Sequence, residues 1–254
     1  MSSTPVAIVL AAGRGTRMRS DLPKVLLPVC GRPMIHFVLD ALSAAGVQDK
    51  VVVVGHRSEL VVQELAGRKD HIETVLQSQQ LGTGHAVMQC IDSIRGRSGP
   101  VVVVAGDSPL LQSSSMKCLL AEYAIRRPSL LLGTLIKEDP TGLGRILRNE
   151  VGEFVGIVEH RDATDQQRAI REVNMSTYLF DAPDLIEALG QIDNTNQQKE
   201  YYLTDCAAVL RELGRAVIAL PVLQPCEALS INDPAELELV DRTMRSMGYS
   251  VVTA

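Results

Sequence analysis

Four cations, Arg14, Arg17, Arg19 and Lys24, fall within Leu10-Ala11-Ala12-Gly13-Arg14-Gly15-Thr16-Arg17-Met18-Arg19-Ser20-Asp21-Leu22-Pro23-Lys24, in a chain whose net charge is −5. Glycines free backbone N–H groups, and beside guanidinium and ammonium groups they make an anion cradle; Arg17 and Lys24 could hold a triphosphate. Neither of two familiar phosphate motifs accounts for the segment. Gly13 and Gly15 fit a dinucleotide fingerprint, but Met18 stands where the third glycine belongs, and no Gly-Lys-Ser/Thr follows. A second stretch, Ala105-Gly106-Asp107-Ser108-Pro109-Leu110-Leu111, sets a carboxylate directly behind an apolar run. A carboxylate facing a triphosphate repels it unless a divalent cation intervenes, and Mg²⁺ takes one or two protein oxygens together with phosphate oxygens. Singly, each stretch has a plainer explanation: a solvated loop with turn glycines, and an aspartate capping the turn before a helix. Together they point to a phosphate site.

Both stretches need buried strands behind them. Val6-Ala7-Ile8-Val9-Leu10 and Val101-Val102-Val103-Val104-Ala105 are continuous apolar runs, as expected of strands covered on both faces. A chain of 254 residues, 46% hydrophobic and without tryptophan, suits one large α/β domain with a core of Val, Leu, Ile and Ala. Pro33 can open a helix with Met34, Val38, Ala41, Leu42 and Ala45 on one face, closed by Gly46. Strands are expected at 51–54, around 74–76, and at 130–136; helices at 59–65, around 86–94, and at 116–125. This alternation predicts an α/β fold with a doubly wound, mostly parallel sheet and right-handed crossovers. Ligands bind at the carboxyl ends of such strands, where both stretches lie. The loop from Leu10 to Pro33 is far longer than the about 2–6 residues usual for such connections, which favours a functional loop. From about Asp139 the texture changes: 145–148 and 154–158, joined by a polar turn with Gly152, read as a hairpin in a substrate-binding lobe built onto the same sheet.

Composition excludes other classes. A negative chain lacks the basic face of general nucleic-acid binders, no run approaches a membrane span, and the first five residues are too short for a signal peptide. Cys30, Cys90, Cys118, Cys206 and Cys226 are scattered and odd in number, which predicts buried free thiols in a reducing cytoplasm. The five histidines show no metal-ligand spacing.

The opening segment resembles the Leu-x-x-Gly-x-Gly-Thr-x-Met…Pro-Lys signature of sugar-1-phosphate nucleotidyltransferases. More narrowly, the chain is similar to the uridylyltransferase domains of bacterial N-acetylglucosamine-1-phosphate uridylyltransferases, from Ala7 to about Asn232. The similarity passes through Leu76-Gln77-Ser78-Gln79-Gln80-Leu81-Gly82-Thr83-Gly84-His85-Ala86, Asp139-Pro140-Thr141-Gly142-Leu143-Gly144-Arg145-Ile146, Gly156-Ile157-Val158-Glu159-His160-Arg161-Asp162-Ala163-Thr164 and Glu200-Tyr201-Tyr202-Leu203-Thr204-Asp205.

The resemblance implies a Rossmann-like nucleotidyltransferase fold: one domain, 1–254, with a nucleotide half to about 138, a hairpin-bearing sugar half over 139–232, and a C-terminal helix and tail over 233–254. It implies UTP and a sugar 1-phosphate as partners, and UDP-N-acetylglucosamine and pyrophosphate as products. The base would be held by Leu10, Ala11, Ala12, Gly13 and Gln77, with Gly82 and Thr83 beside them. Asp107 and Asn232 would hold Mg²⁺, although Ser230-Ile231-Asn232-Asp233-Pro234 otherwise reads as a helix cap. Gly144, Glu159, Asn174, Tyr202 and Thr204 would line the sugar pocket; singly, Glu159 reads as a solvated strand residue and Tyr202 as a first-turn helix residue. Arg17 would hold the departing pyrophosphate and Lys24 the phosphates at the reacting centre. In-line attack by an already ionised phosphate needs no general base, only positioning and charge neutralisation.

Three departures fall near the expected sugar site. Met175-Ser176 follows Asn174 where the family usually reads Asn-Thr-Gly, Ala105 stands where an aromatic residue is common, and Lys199 replaces a common glycine. No hexapeptide repeats precede Ala254, so uridylyl transfer is expected without acetyl transfer and without a β-helix trimerisation domain. Two other readings stand beside this one. The first is a nucleotidyltransferase for another sugar phosphate or a cytidylyl or thymidylyl donor. The second is a non-catalytic nucleotide-sugar sensor, which the presence of Arg17, Lys24, Asp107 and Asn232 disfavours.

Overall fold

The computed structural model describes residues 4–250 except Arg14 and Arg19, and Thr16 by its backbone alone. Arg14 and Arg19 of the basic segment therefore lie outside the described residues. The first strand, β1 (Val6–Ala11), is followed by two short 3-10 turns, Thr16–Met18 and Lys24–Leu26, and by a ribbon of β2 (Pro28–Val29) and β3 (Arg32–Pro33). Then come α1 (Met34–Ala44), β4 (Asp49–Val54), α2 (Ser58–Leu65) and β5 (His71–Leu76). The helix expected at 86–94 is two short ones, α3 (Thr83–Met88) and α4 (Ile91–Ile94). Cys90 leaves helical geometry between them at φ −96° and ψ 4°, and its N–H bonds Val87 O at 2.9 Å, tightening the turn. Next are β6 (Pro100–Ala105), α5 (Ser113–Arg126), β7 (Leu130–Ile136) and the expected hairpin, β8 (Gly144–Arg148) with β9 (Phe154–Val158). The chain continues through α6 (Asp165–Arg168), β10 (Glu172–Asp181), α7 (Ala182–Leu189), α8 (Asp205–Glu212), β11 (Val217–Leu220) and α9 (Pro234–Ser246).

Among the described residues one nine-stranded sheet runs β11-β7-β10-β6-β1-β4-β5, with β8 and β9 attached through β10. Pairings β6·β1, β1·β4, β4·β5 and β11·β7 are parallel; β10 runs antiparallel between β6 and β7. Alternate residues explain the unbroken apolar runs. Val6, Ile8, Val51, Val53, Val101 and Val103 pack on one face beneath α3, α7 and α8. Ala7, Val9, Val52, Val54, Val102 and Val104 pack on the other beneath α1, α2 and α5. Both faces are covered, so neither is polar.

β1 lies between β6 and β4, with Leu10 opposite Ala105 and Val53, so their carboxyl ends stand level. Gly106 keeps them close: its N–H bonds Leu10 O at 2.9 Å, and a Cβ there would sit 2.9 Å from that same oxygen. Asp107 is thereby delivered beside the glycine loop. A third cluster, including Met18, Leu27, Val29, Met34, Leu110, Ile231, Val240 and Met244, lies beneath the basic segment and ties it to α9. Asp241 reinforces the tie by accepting the Cys30 N–H at 2.6 Å.

Cys30, Cys90 and Cys206 are buried free thiols as expected, but Cys226 is half-buried and Cys118, on the solvent side of α5, is exposed. Among the described residues no helix is long and apolar enough to cross a membrane.

Leu179 sits on β10 with 0% exposure, packed against Val102 on the α1/α5 face. Leu179→Ala is expected to lower unfolding free energy by about 2–5 kcal/mol, the cost of a core cavity. Urea unfolding followed by circular dichroism checks it; a loss under about 1 kcal/mol would mean that β10 is not a central strand.

Candidate functional site

At the carboxyl edge of the sheet two oxygens converge on one ammonium. Lys24 Nζ lies 2.5 Å from Asp107 Oδ2 and 3.3 Å from Asn232 Oδ1, and Arg17 Nη2 donates to the same Asn232 oxygen at 3.0 Å. Three distant segments supply these groups: Lys24 begins the second 3-10 turn, Asp107 follows β6, and Asn232 precedes α9. Asn232 is available because Asp233, not Asn232, caps α9, accepting the Glu236 N–H at 2.9 Å. Glu236 in return accepts the Asn232 N–H at 2.6 Å and holds that residue in place.

The donor set fits Mg²⁺. A carboxylate and an amide oxygen already face one cation, and a hard ion with phosphate oxygens needs no more from the protein. Among the described residues no three His, Cys, Asp or Glu side chains converge, so no all-protein cage exists elsewhere.

All seven residues expected at the nucleotide, Leu10, Ala11, Ala12, Gly13, Gln77, Gly82 and Thr83, line one cavity of about 280 Å³, and Lys24 and Asp107 share its wall. Gln77 is 3% exposed; its Nε2 donates to Gly82 O at 3.1 Å and faces His85 Nδ1 at 3.0 Å. With the amide nitrogen engaged inward, Oε1 remains as an acceptor for a base. Gly82 has φ +105°, and a Cβ there would lie 2.6 Å from Tyr201 O. Tyr201 N–H bonds Leu81 O and Gly84 N–H bonds Tyr201 O, both at 2.8 Å. The segment 77–84 is thus clasped to 200–203. Thr83 joins the clasp, its hydroxyl accepting the Leu203 N–H at 3.1 Å, and so helps to shape the cavity. Gln80 and Glu200 also line the cavity. Sequence reasoning passed over both, although each sits inside a motif block.

A second cavity, about 360 Å³, shares Ala105, Asp107 and Ser176 with the first and adds Arg17, Lys137, Asn174 and Asn232. Of the five expected sugar residues only Asn174 lines it. Two of the others adjoin it: Gly144 pairs with Asn174 across β8 and β10, and a Cβ on Gly144 would sit 3.6 Å from Glu159 Oε2. Thr204 donates to Glu159 at 3.1 Å, while the Tyr202 hydroxyl accepts from Gln198 at 2.5 Å. Asn174 Nδ2 donates to the Tyr178 hydroxyl at 2.7 Å, but its Oδ1, though buried, has no partner among the described residues. A buried acceptor left unmade costs about 1–3 kcal/mol, so this oxygen is an unfavourable feature of the cavity wall.

Sequence reasoning also missed Arg145, which is 1% exposed. It donates to the carbonyls of Leu143 and Arg168, the latter at 3.3 Å, and faces His160 Nδ1 at 3.3 Å, bracing the chain around Gly144 and Glu159. Burial pulls its pKa down. In the sequence it stands one residue after Gly144, inside a motif block.

A glycine-lined cavity beside a lysine and an arginine, at the carboxyl ends of a mostly parallel sheet, is the arrangement expected of a nucleotidyltransferase. Residues 7–165 match the MobA-like NTP transferase domain, and the chain belongs to that family. It is 43% identical over 239 residues to the bifunctional protein GlmU of Listeria welshimeri, covering 94% of this chain and 52% of that protein. The GlmU of Brevibacillus brevis is 42% identical over the same length, 51% of its chain. The chain thus spans about half the length of these relatives. A crystal structure of UDP-glucose pyrophosphorylase complexed with UDP-glucose superposes with a TM-score of 0.80 at 17% identity, over 96% of this chain and 99% of that one. That likeness is one of fold.

Asp205 lies within range of the charges of Glu159, Asp193 and Asp162. Burial, above all, raises Glu159. Burial, then Glu159, Asp193 and Asp162, push Asp205 from 3.8 up to about 6. A raised carboxyl binds its proton more tightly in the folded state, so stability falls as pH rises from about 4 to 6 and stays reduced above. Asp205→Asn is expected to gain on the order of 1–2 kcal/mol near pH 8, after discounting partial exposure, and nothing near pH 4. Denaturant unfolding at the two pH values checks it; an equal effect at both would show Asp205 to be unperturbed.

Proposed function

We propose that the chain catalyses uridylyl transfer, making UDP-N-acetylglucosamine and pyrophosphate from UTP and N-acetylglucosamine 1-phosphate with Mg²⁺. One observation carries this reading: Lys24, Asp107, Asn232 and Arg17 meet where the two cavities join. Nucleotide on one side and sugar phosphate on the other would then bring their reacting phosphates together at this cluster. The identity to GlmU over 94% of the chain supports the choice of nucleotide and sugar.

In this mechanism the Gln77 carbonyl accepts the uracil N3–H, and the backbone of 10–13 flanks the base. An oxygen of the sugar phosphate attacks the α-phosphorus of UTP; the bond to the bridging oxygen breaks, and pyrophosphate leaves. Lys24 turns from Asp107 to the phosphates at the reacting centre, and Arg17 holds the leaving pyrophosphate. Asp107 and Asn232 would hold Mg²⁺, which when bound neutralises phosphate charge. Asn174 Oδ1 accepts from the sugar, with Glu159, Thr204, Tyr202 and Gly144 shaping the pocket behind it. A different sugar 1-phosphate is the second reading, because Ala105 and Ser176, both departures from the family pattern, line both cavities.

Pyrophosphate release, measured with UTP, CTP and dTTP against a panel of sugar 1-phosphates with and without Mg²⁺, tests the proposal. Release with no pair would leave a binding protein, not an enzyme.

Lys24→Ala is expected to keep the fold and slow turnover about 100- to 1,000-fold. A charge about 4 Å from the phosphates contributes roughly 4 kcal/mol at an effective dielectric near 20, and neighbouring cations reduce this. Near-normal turnover would remove Lys24 from the reacting centre.

Gln77 carries the choice of base. Cytosine lacks the N3 proton that Gln77 Oε1 would accept, and each unpaired buried polar group costs about 1–3 kcal/mol, so UTP should lead CTP by roughly 100-fold in kcat/KM. Gln77→Ala should lower activity with UTP far more than with CTP. An unchanged ratio in the variant would exonerate Gln77, and a wild-type preference for CTP would overturn uridylyl transfer itself.

A further inference from the structure

The cleft beside Asp107 contains a cation that neither the glycine loop nor the motif blocks explain. Lys137 directly follows β7, its backbone N–H fixed by Arg171 O at 2.9 Å, and it lines the cavity of about 360 Å³ that also holds Arg17, Asn174 and Asn232. Of the neighbouring cations, Lys24 lines the adjoining cavity and pairs with Asp107, while Arg17, in this one, donates to the Asn232 amide oxygen. Among the described residues no carboxylate lies within ion-pair distance of the half-buried Lys137 side chain. Its field reaches Asp139, whose oxygen accepts the Thr141 N–H at 3.1 Å and whose pKa is lowered first by Thr141, with smaller contributions from Lys137 and Arg145.

A cation and an unpartnered acceptor therefore share one cavity: Lys137 and, 6% exposed, Asn174 with its orphan Oδ1. A sugar 1-phosphate offers the complement, an anionic phosphate joined to a ring bearing hydroxyl donors. We propose that Lys137 binds the phosphate of the sugar 1-phosphate, separately from the cations that hold the triphosphate. This rests on the transfer reading, and it gives that reaction something it requires. Two polyanions must approach within bonding distance, and a cation dedicated to the attacking phosphate offsets their repulsion without drawing Lys24 or Arg17 from the nucleotide.

The test compares wild type, Lys137→Ala and Lys137→Arg in the forward reaction, and in the reverse reaction with UDP-N-acetylglucosamine and pyrophosphate. Lys137→Ala is expected to raise KM for N-acetylglucosamine 1-phosphate about 10- to 100-fold, each tenfold being about 1.4 kcal/mol. KM for UTP and for pyrophosphate should stay as in wild type, Lys137→Arg should restore most of the loss, and thermal melting should not move. An unchanged sugar-phosphate KM, or a parallel rise for UTP or pyrophosphate, overturns the assignment. The transfer reading stands or falls on wild-type turnover alone. If wild type turns over no pair, calorimetric titration with N-acetylglucosamine 1-phosphate still decides Lys137: weaker binding by Lys137→Ala supports the site, and equal binding or none by wild type overturns it.

Discussion

The Lys24–Asp107 ion pair, with Asn232 beside it, joins three distant segments, and much of this molecule is arranged around it. Asp107 sits at the end of β6 because Gly106 lets β6 and β1 finish level and close. Its charge is met by Lys24, brought across by the long loop after β1, and Asn232 completes the cluster from the start of α9. The cluster therefore draws on three segments distant in the chain. The loop between β1 and α1 has two short turns and a two-residue ribbon, too little hydrogen bonding to be rigid alone. It is anchored by the apolar cluster that Met18, Leu27 and Val29 form with Ile231, Val240 and Met244. The helix that supports the loop also presents Asn232, so anchoring and site geometry depend on the same packing.

A second coupling links the two halves of the chain. The loop 77–84 takes its shape from 200–203 through backbone bonds at 2.8 Å and through Thr83. The wall of the first cavity is therefore tied by backbone to the segment bearing Tyr202, and Glu200, within that clasp, lines the same cavity. On the other side β10 does similar work. Its first residues hold the hairpin by pairing with β8, and its later residues fill the sheet between β6 and β7.

What could be read from residues alone follows from how locally each feature is encoded. Strands β1, β4, β6 and β7 were legible because burial on both faces leaves uninterrupted apolar runs, and the basic loop and Asp107 because they follow such runs. The hairpin was legible from its turn. β10 was not. Its register against β7 shifts between Asn174 and Thr177, and Ser176 at φ 51° breaks the period-2 pattern. The break between α3 and α4 left no mark either, since neither glycine nor proline lies between Met88 and Ile91. Asn232 and Asp233 are both good capping residues, and only the backbone shows that Asp233 takes the cap. Lys137 and Arg145 were passed over because what matters for each is its surroundings: a lysine facing a cavity without a counter-ion, an arginine buried among carbonyls.

Those surroundings show where the sugar side departs from what stability alone would favour. Arg145 is buried with carbonyls instead of a carboxylate, Asn174 keeps a buried oxygen without a partner, and Glu159 and Asp205 hold carboxyls raised first by burial. Each is unfavourable in the folded protein without a ligand. Each also has a polar group near the wall where a ring rich in hydroxyls would sit. A ligand that donates to Asn174 removes one of these penalties as it binds, and that released free energy adds to affinity. The nucleotide side is built differently: Gln77 has its nitrogen satisfied and Thr83 its hydroxyl engaged before anything binds. On the proposed assignment the nucleotide would meet a preorganised wall, whereas the sugar phosphate would complete an unfinished one.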